Sequence, residues 1–425
     1  MCSSDLQGYG DGVIATSLAL DTVADPIEVG SRTGVLWSRN GLQLAGLGEA
    51  HRIEIAGLDH AVEAARHLNA IEVDDASTAT GPGTGPIAFG ALPFDRAATG
   101  SLLVPEIVIG SAPDGRRWIT LVAEDHAPVR LDQALERLAA AAARPVPDGP
   151  EPTSFDLVSG LAPEIWRDEV VGFTQSRIAA GELDKAVLAR ELILRTDHPI
   201  DSAYALERLH RSYRNAILFS VDGFIGASPE LLVSRFGEVV RAHPLAGTAP
   251  RSSDPAADQK SSAQLLSSSK DRWEHRITID WLLNTLLPFC SFVDAEPEPT
   301  IVTLANVHHL GTRVEGRLSS PSAGVLELVA ALHPTPAVGG DPQDKALALI
   351  AAMERMDRGR YAGPVGWVDA NGNGEFAVGI RSAQIEGNQA RLWAGVGVVK
   401  DSDPSAELSE TRAKFQAMLS ALMRP

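Results

Sequence analysis

The alternation of apolar and polar positions changes texture once along the chain. Up to about residue 145, short apolar runs such as TGVLWSR, PIAFGALPF, LLVPEIVIG and WITLVAED alternate with Gly and Pro turns, the pattern of strands. Two stretches in this part, LDHAVEAARHLNAI and LDQALERLAAAAAR, repeat at helical spacing. PVPDGPEPTS, residues 145–154, reads as a linker. GPGTG, residues 81–85, stands before a strand and not between a strand and a helix, so it reads as a loop and not as a phosphate cradle.

Beyond the linker the elements lengthen. APEIWRDEVVGFTQSRIAAGE predicts an amphipathic helix ending near Gly181, LDKAVLARELILR a strand, and a further helix starts at about Asp201. AILFSVDG, FIGASPELLVSRF and EVVRAHPLAG predict successive strands, and one long helix is expected over roughly Asp258 to Leu287. TIVTLAN and VHHLGTRVEGRL read as strands before two more helices, and GPVGWVDANGNGEFAVGIRSAQIEGNQARLWAGVGVV as three strands with a hairpin turn at NGNG. The last helix has Asp403 as N-cap and Pro404 at its first position. Hairpin sheets with helices outside predict an α+β fold.

Charge and cysteine content narrow the partners. With 37 Lys+Arg against 55 Asp+Glu the formal charge is −18, which disfavours nucleic acid and anionic membrane surfaces. Two cysteines, Cys2 and Cys290, make neither a disulfide framework nor a metal cluster. No basic leader or long apolar run occurs, so a cytoplasmic protein is expected, and the first dozen residues read as disordered.

Two acidic pairs stand out. Asp271 and Glu274 are three residues apart in SSSKDRWEH, and Glu407 and Glu410 repeat that spacing in the last helix, so each pair shares a helix face. Four carboxylates without clustered His or Cys suit a hard cation such as Mg2+. The plainer reading is that Lys270 with Glu274 and Glu410 with Lys414 are solvated i,i+4 pairs.

DKAVLAREL, ASPELLVSR, HPLAGTAPR, SSSKDRWEH, HHLGTRVEG, LHPTPAVGG, GIRSAQ, WAGVGVV and SAELSETRAKFQAML follow one another in an order that resembles the chorismate-utilising enzymes. That family includes the isochorismate, salicylate, anthranilate and aminodeoxychorismate synthases, and the likeness runs from about residue 155 to the C-terminus. It implies a chorismate-binding fold of two layered antiparallel sheets with helices packed outside. Residues 151–425 would be the catalytic core and residues 1–150 the variable part of the same fold.

The resemblance also implies a site. Glu274 and Glu410 would hold Mg2+, with Asp271 and Glu407 orienting its waters. Lys185 would be the general base and Glu230 the general acid for moving a hydroxyl from C4 to C2 of chorismate, giving isochorismate. Arg381 and Tyr361 would hold the enolpyruvyl carboxylate, Gly247, Thr248, Gly395 and Gly397 would let backbone approach the ligand, His333 would lie near the leaving hydroxyl, and Lys414 would balance the acidic cluster. Anthranilate synthases usually have glutamine where Lys185 stands, and aminodeoxychorismate synthases have lysine where this chain has Ala246, so water is the expected nucleophile. The runner-up is a salicylate synthase, which goes on to eliminate pyruvate; from another class, a catalytically silent relative would serve as a binding subunit. A monomer supplying quinone or siderophore synthesis is the implied setting. GTAPRSS, Gly247 to Ser253, departs from the family's usual GTRPRG by one arginine, though Arg251 remains.

Overall fold

The computed structural model describes residues 13–123, 130–146 and 149–423. The expected disorder of the first dozen residues therefore falls outside the described residues, as does part of the linker at 145–154. Two large sheets, of thirteen and nine strands among the described residues, carry the fold, and a third sheet of three strands stands beside them.

Strand alternation divides the side chains between layers. In the strand Ile217–Val221, Ile217, Phe219 and Val221 turn toward a large apolar cluster that also takes Trp37, Trp118, Phe89, Trp367 and Phe376. These residues come from both large sheets, so the two pack face to face. Leu218, from the same strand, joins a separate cluster with Leu206, Leu209, Phe415 and Met418 of the helices Ser202–Ser212 and Pro404–Met423. Helices thus cover the other face of the larger sheet, as an α+β layering requires. The region before the linker is woven into both sheets: Leu36–Arg39 pairs with Ile217–Val221, and Ile87–Ala91 pairs with Pro364–Asp369.

Several details differ from the sequence reading. The single helix expected over Asp258 to Leu287 is two, Pro255–Ser267 and Ser269–Leu286. Ser268 between them is extended (φ −67°, ψ 118°), and its hydroxyl accepts from the Asp271 amide, so it caps the second helix instead of continuing the first. The segment read as three strands near the C-terminus holds four. A short helix, Pro26–Thr33, capped by Asp25, is not marked by the hydrophobic pattern because it is little longer than two turns. The third sheet, built from Leu245–Pro250, Val307–Gly311 and Thr300–Thr303, was not foreseen either. Its strands leave the nine-stranded sheet at Pro244 and Thr312, two breaks that a hydrophobic pattern does not show.

Candidate active site

The site forms where the chain passes between sheets. Phe224–Ser228 belongs to the larger sheet and Leu231–Phe236 to the smaller, so the Pro229–Glu230 turn crosses the interior. Ser228 fixes that turn: its hydroxyl donates to the Val378 carbonyl (2.7 Å) and accepts from the Glu230 amide (3.2 Å). Glu230 is left 3% exposed and lines a cleft between the sheets. Burial pushes its carboxyl up to about 7 even though Lys185, Arg381 and Lys414 pull the other way.

Two helices bring the acidic pairs to the same cleft. The Ser268 cap starts one, which presents Asp271 and Glu274; Asp403, whose carboxylate accepts from the Ala406 amide (3.0 Å), starts the other, which presents Glu407 and Glu410. Of the two i,i+4 pairs only Glu410 with Lys414 forms (2.7 Å), and it lies in the cleft lining and not on a solvated face. Lys270 reaches across to Glu407 (3.3 Å) instead of down its own helix to Glu274. Glu274 is 2.9 Å from the Nζ of the buried Lys185.

The carboxylates disturb one another. Glu407 is pushed up to about 7, by burial first and then by the charge of Glu410. Asp271 is raised by burial, with the Glu274 and Glu410 charges adding to it. Among the described residues no three acidic, His or Cys side chains form a ready metal cage. The cleft offers pairs of mutually repelling carboxylates, and Mg2+ takes one or two of these with waters and substrate oxygens, so the donor set fits it.

The remaining residues read from the sequence fall as follows. Gly247, Thr248, Tyr361, Arg381, Gly395, Gly397 and Lys414 all line the cleft. Gly247 has φ 71°, and a Cβ there would lie 3.0 Å from the Asp271 Cβ. A Cβ on Gly397 would meet Glu274 Oε1 at 2.3 Å and Lys185 Cε at 2.9 Å, so the Lys185–Glu274 pair occupies the space a side chain would need. One on Gly395 would meet the Tyr361 hydroxyl at 3.0 Å. Lys414 donates to the Gly395 carbonyl (2.8 Å). Arg251, the arginine kept in GTAPRSS, is bound to Asp258 and to the Leu304 carbonyl.

His333 is the exception. It is absent from the cleft lining, and its Nε2 lies 2.9 Å from the Phe94 carbonyl, so it donates to backbone within the interior. Burial holds its imidazole down to about 4, and it stays neutral. A buried structural histidine, and not the expected contact to the leaving hydroxyl, describes this position.

One cleft histidine carried no role in the sequence reading. His309 accepts from Arg381 Nη2 at Nε2 (2.9 Å), which leaves the proton on Nδ1 to be donated to the Gly247 carbonyl (3.0 Å). Burial, with the Arg381 and Lys414 charges, holds it well below the usual histidine range. It thereby joins the arginine wall to the Gly247–Thr248 wall. HHLGT holds two histidines on opposite faces of one strand, and His308 goes instead to Asp258 (3.0 Å); the sequence alone does not say which one faces the cleft.

The model for chorismate binding enzymes matches residues 20–423. The chain belongs to the chorismate-binding enzymes. Within that family it is 39% identical over 350 residues to the isochorismate synthase DhbC of Bacillus subtilis strain 168, covering 79% of this chain and 81% of that one. It is 37% identical over 361 residues to the isochorismate synthase MenF of the same organism, covering 80% and 75%. The menaquinone-specific isochorismate synthase MenF of Escherichia coli superposes with a TM-score of 0.78 at 26% identity, covering 97% of this chain and 95% of that one. No helix among the described residues is long and apolar enough to cross a membrane.

Proposed function

We propose that this chorismate-binding enzyme is an isochorismate synthase. The observation that carries the reading is a buried acid in the cleft lining, Glu230, whose carboxyl is held up at about 7, and a fully buried amine just behind that lining, Lys185, 2.9 Å from the cleft residue Glu274. Moving the hydroxyl needs a base for the attacking water and an acid for the departing oxygen. Lys185 takes the proton as water bonds to C2 of the ring. The double bonds shift, and Glu230 gives its proton to the C4 hydroxyl, which leaves as water. The product is an isomer of the substrate, and passing one proton back from Lys185 to Glu230 through solvent resets the pair.

Arg381, its guanidinium oriented by His309, and Tyr361 hold the enolpyruvyl carboxylate, for which a guanidinium fork is suited. Glu274 and Glu410 would hold Mg2+, with Asp271 and Glu407 toward its waters, and the bound ion supplies positive charge for the ring carboxylate of a dianion in a net-negative protein. Residues 1–150 are proposed as the variable part of the fold and residues 151–425 as the catalytic core, in a monomeric cytoplasmic enzyme.

The test is to incubate the protein with chorismate and Mg2+, with and without ammonium, and identify products by chromatography and NMR. Isochorismate alone, unaffected by ammonium, is expected. Salicylate with pyruvate would assign the salicylate synthase reaction, and an aminated product would overturn water as nucleophile. No turnover by well-folded protein would favour a silent binding subunit.

A further inference from the structure

The strand Lys185–Thr196, which carries the proposed base, has an incomplete edge. On one side it pairs continuously with Gln389–Val398 from Ala186 to Arg195. On the other, Gly340–Asp341 pairs only with Lys185 and Ala186, and Phe155–Ser159 only with Leu192 to Thr196. Between them, the backbone groups of Val187 and Ala189 face no strand, and a buried strand edge needs partners for each of them.

Side chains supply most of those partners. The Val187 amide donates to the Gly339 carbonyl (2.8 Å), and the Val187 carbonyl accepts from Arg358 Nη2 (2.7 Å). The Ala189 amide donates to Glu354 Oε1 (2.7 Å), and the Ala189 carbonyl accepts from the Trp166 indole (3.1 Å). Glu354 and Arg358 are 3% and 4% exposed and form a two-point ion pair. Arg358 does one thing more: its Nη1 donates to the Val338 carbonyl (2.9 Å).

Val187 and Val338 both line the cleft, on separate stretches of chain. One guanidinium therefore spans the two walls, and the Tyr361 amide is bonded to the Arg358 carbonyl (2.9 Å), which ties a third lining residue to the same point. We propose that Arg358, held in place by Glu354, is a positioning residue that sets the Lys185 strand against the Val338 and Tyr361 walls of the cleft. It touches no reacting atom, and this role rests on the isochorismate synthase reading. Only a planar fork reaches both carbonyls while pairing with a carboxylate, so lysine is not a substitute although it keeps the charge.

The test compares Arg358→Lys with the native protein. The charge opposite Glu354 is kept, so the variant should fold, with a melting temperature lowered by the buried hydrogen bonds it loses, while kcat for chorismate per folded molecule falls roughly 10- to 100-fold, with a smaller change in KM, as expected for a base displaced by a fraction of an ångström to 1 Å. Trp118→Phe, which removes a bond to Gly83 that the cleft does not use, is the control for lost stability and should keep kcat per folded molecule. Native kcat and KM in folded Arg358→Lys would overturn the proposal. If that variant does not fold, Glu354→Gln decides: its amide oxygen still accepts from Ala189 but no longer anchors the guanidinium, so kcat should fall, and an unchanged kcat overturns the idea. Turnover by the native protein separately tests the underlying reading. If the native protein is inactive, amide exchange at Ala189 and Tyr361 decides: faster exchange in Arg358→Lys supports the strut, and unchanged exchange overturns it.

Discussion

The two ends of the cleft each hold a glutamate whose carboxyl is pushed up to about 7, and they get there differently. At Glu230 burial alone raises it, against three nearby cations. At Glu407 burial is joined by the charges of Glu410 and Glu274, and Lys270 opposes them. The first environment is buried and fixed by the Ser228 turn and the sheets on either side; the second is a cluster of like charges on two helix starts. A bound cation would relieve the second directly, while the first depends on packing. The cleft thus has an end that handles protons and an end suited to a cation, and the two meet at the Lys185–Glu274 contact (2.9 Å).

The largest expected effect is at the proton-handling end. Lys185→Ala and Glu230→Gln should each lower kcat by about 100- to 10,000-fold while circular dichroism stays native, because each removes half of the proton transfer. A normal rate in either variant would remove that residue from its role.

Next comes the cation end. Chelation should stop turnover without a change in far-UV dichroism, and Mg2+ should restore it. By calorimetry, Glu410→Gln should weaken Mg2+ binding at least about tenfold, as loss of a charged ligand does, while Glu230→Gln should leave it nearly unchanged. Equal losses in both variants would show that the two ends are not separate.

The pH dependence of stability sharpens the contrast. Glu230 titrates at about 7 when folded, against 4.5 for an unburied glutamate. Between these values the folded protein keeps a proton that the unfolded chain has released, so this group's contribution to stability is present below pH 4.5 and is lost as pH rises to about 7. That difference corresponds to about 3 kcal/mol. Urea unfolding from pH 4.5 to 8 should therefore show Glu230→Gln gaining that much relative to the native protein across the window; a gap that does not change with pH would contradict the burial of Glu230. Activity should also fall above pH 7 as the acid loses its proton.

The smallest effect is expected for Tyr361→Phe. The ring stacks on Trp393 (centroids 5.8 Å apart), and phenylalanine keeps that packing, so kcat/KM should fall less than about tenfold. A much larger loss would give the hydroxyl a part in the chemistry.

Residue spacing made the helix starts legible: Asp403, Pro404 and the two acidic pairs are local signals, and the structure puts them where spacing implied. The order of the motifs made the cleft residues legible as a set. What sequence could not show depends on contacts between distant segments. The Ser268 break is decided by one extended residue, the choice between His308 and His309 by strand face, and the inward turn of His333 by the Phe94 carbonyl 239 residues away. The partner of Lys185 was equally hidden, because the Lys185–Glu274 pair needs Gly397 to lack a side chain.

The most direct measurement is turnover of chorismate with Mg2+ in water enriched in 18O, with mass and NMR analysis of the isochorismate formed. Water activated by Lys185 and a C4 hydroxyl released by Glu230 predict one 18O atom, located on the C2 hydroxyl. Isochorismate without label would contradict solvent water as the nucleophile, and with it the roles assigned to both residues.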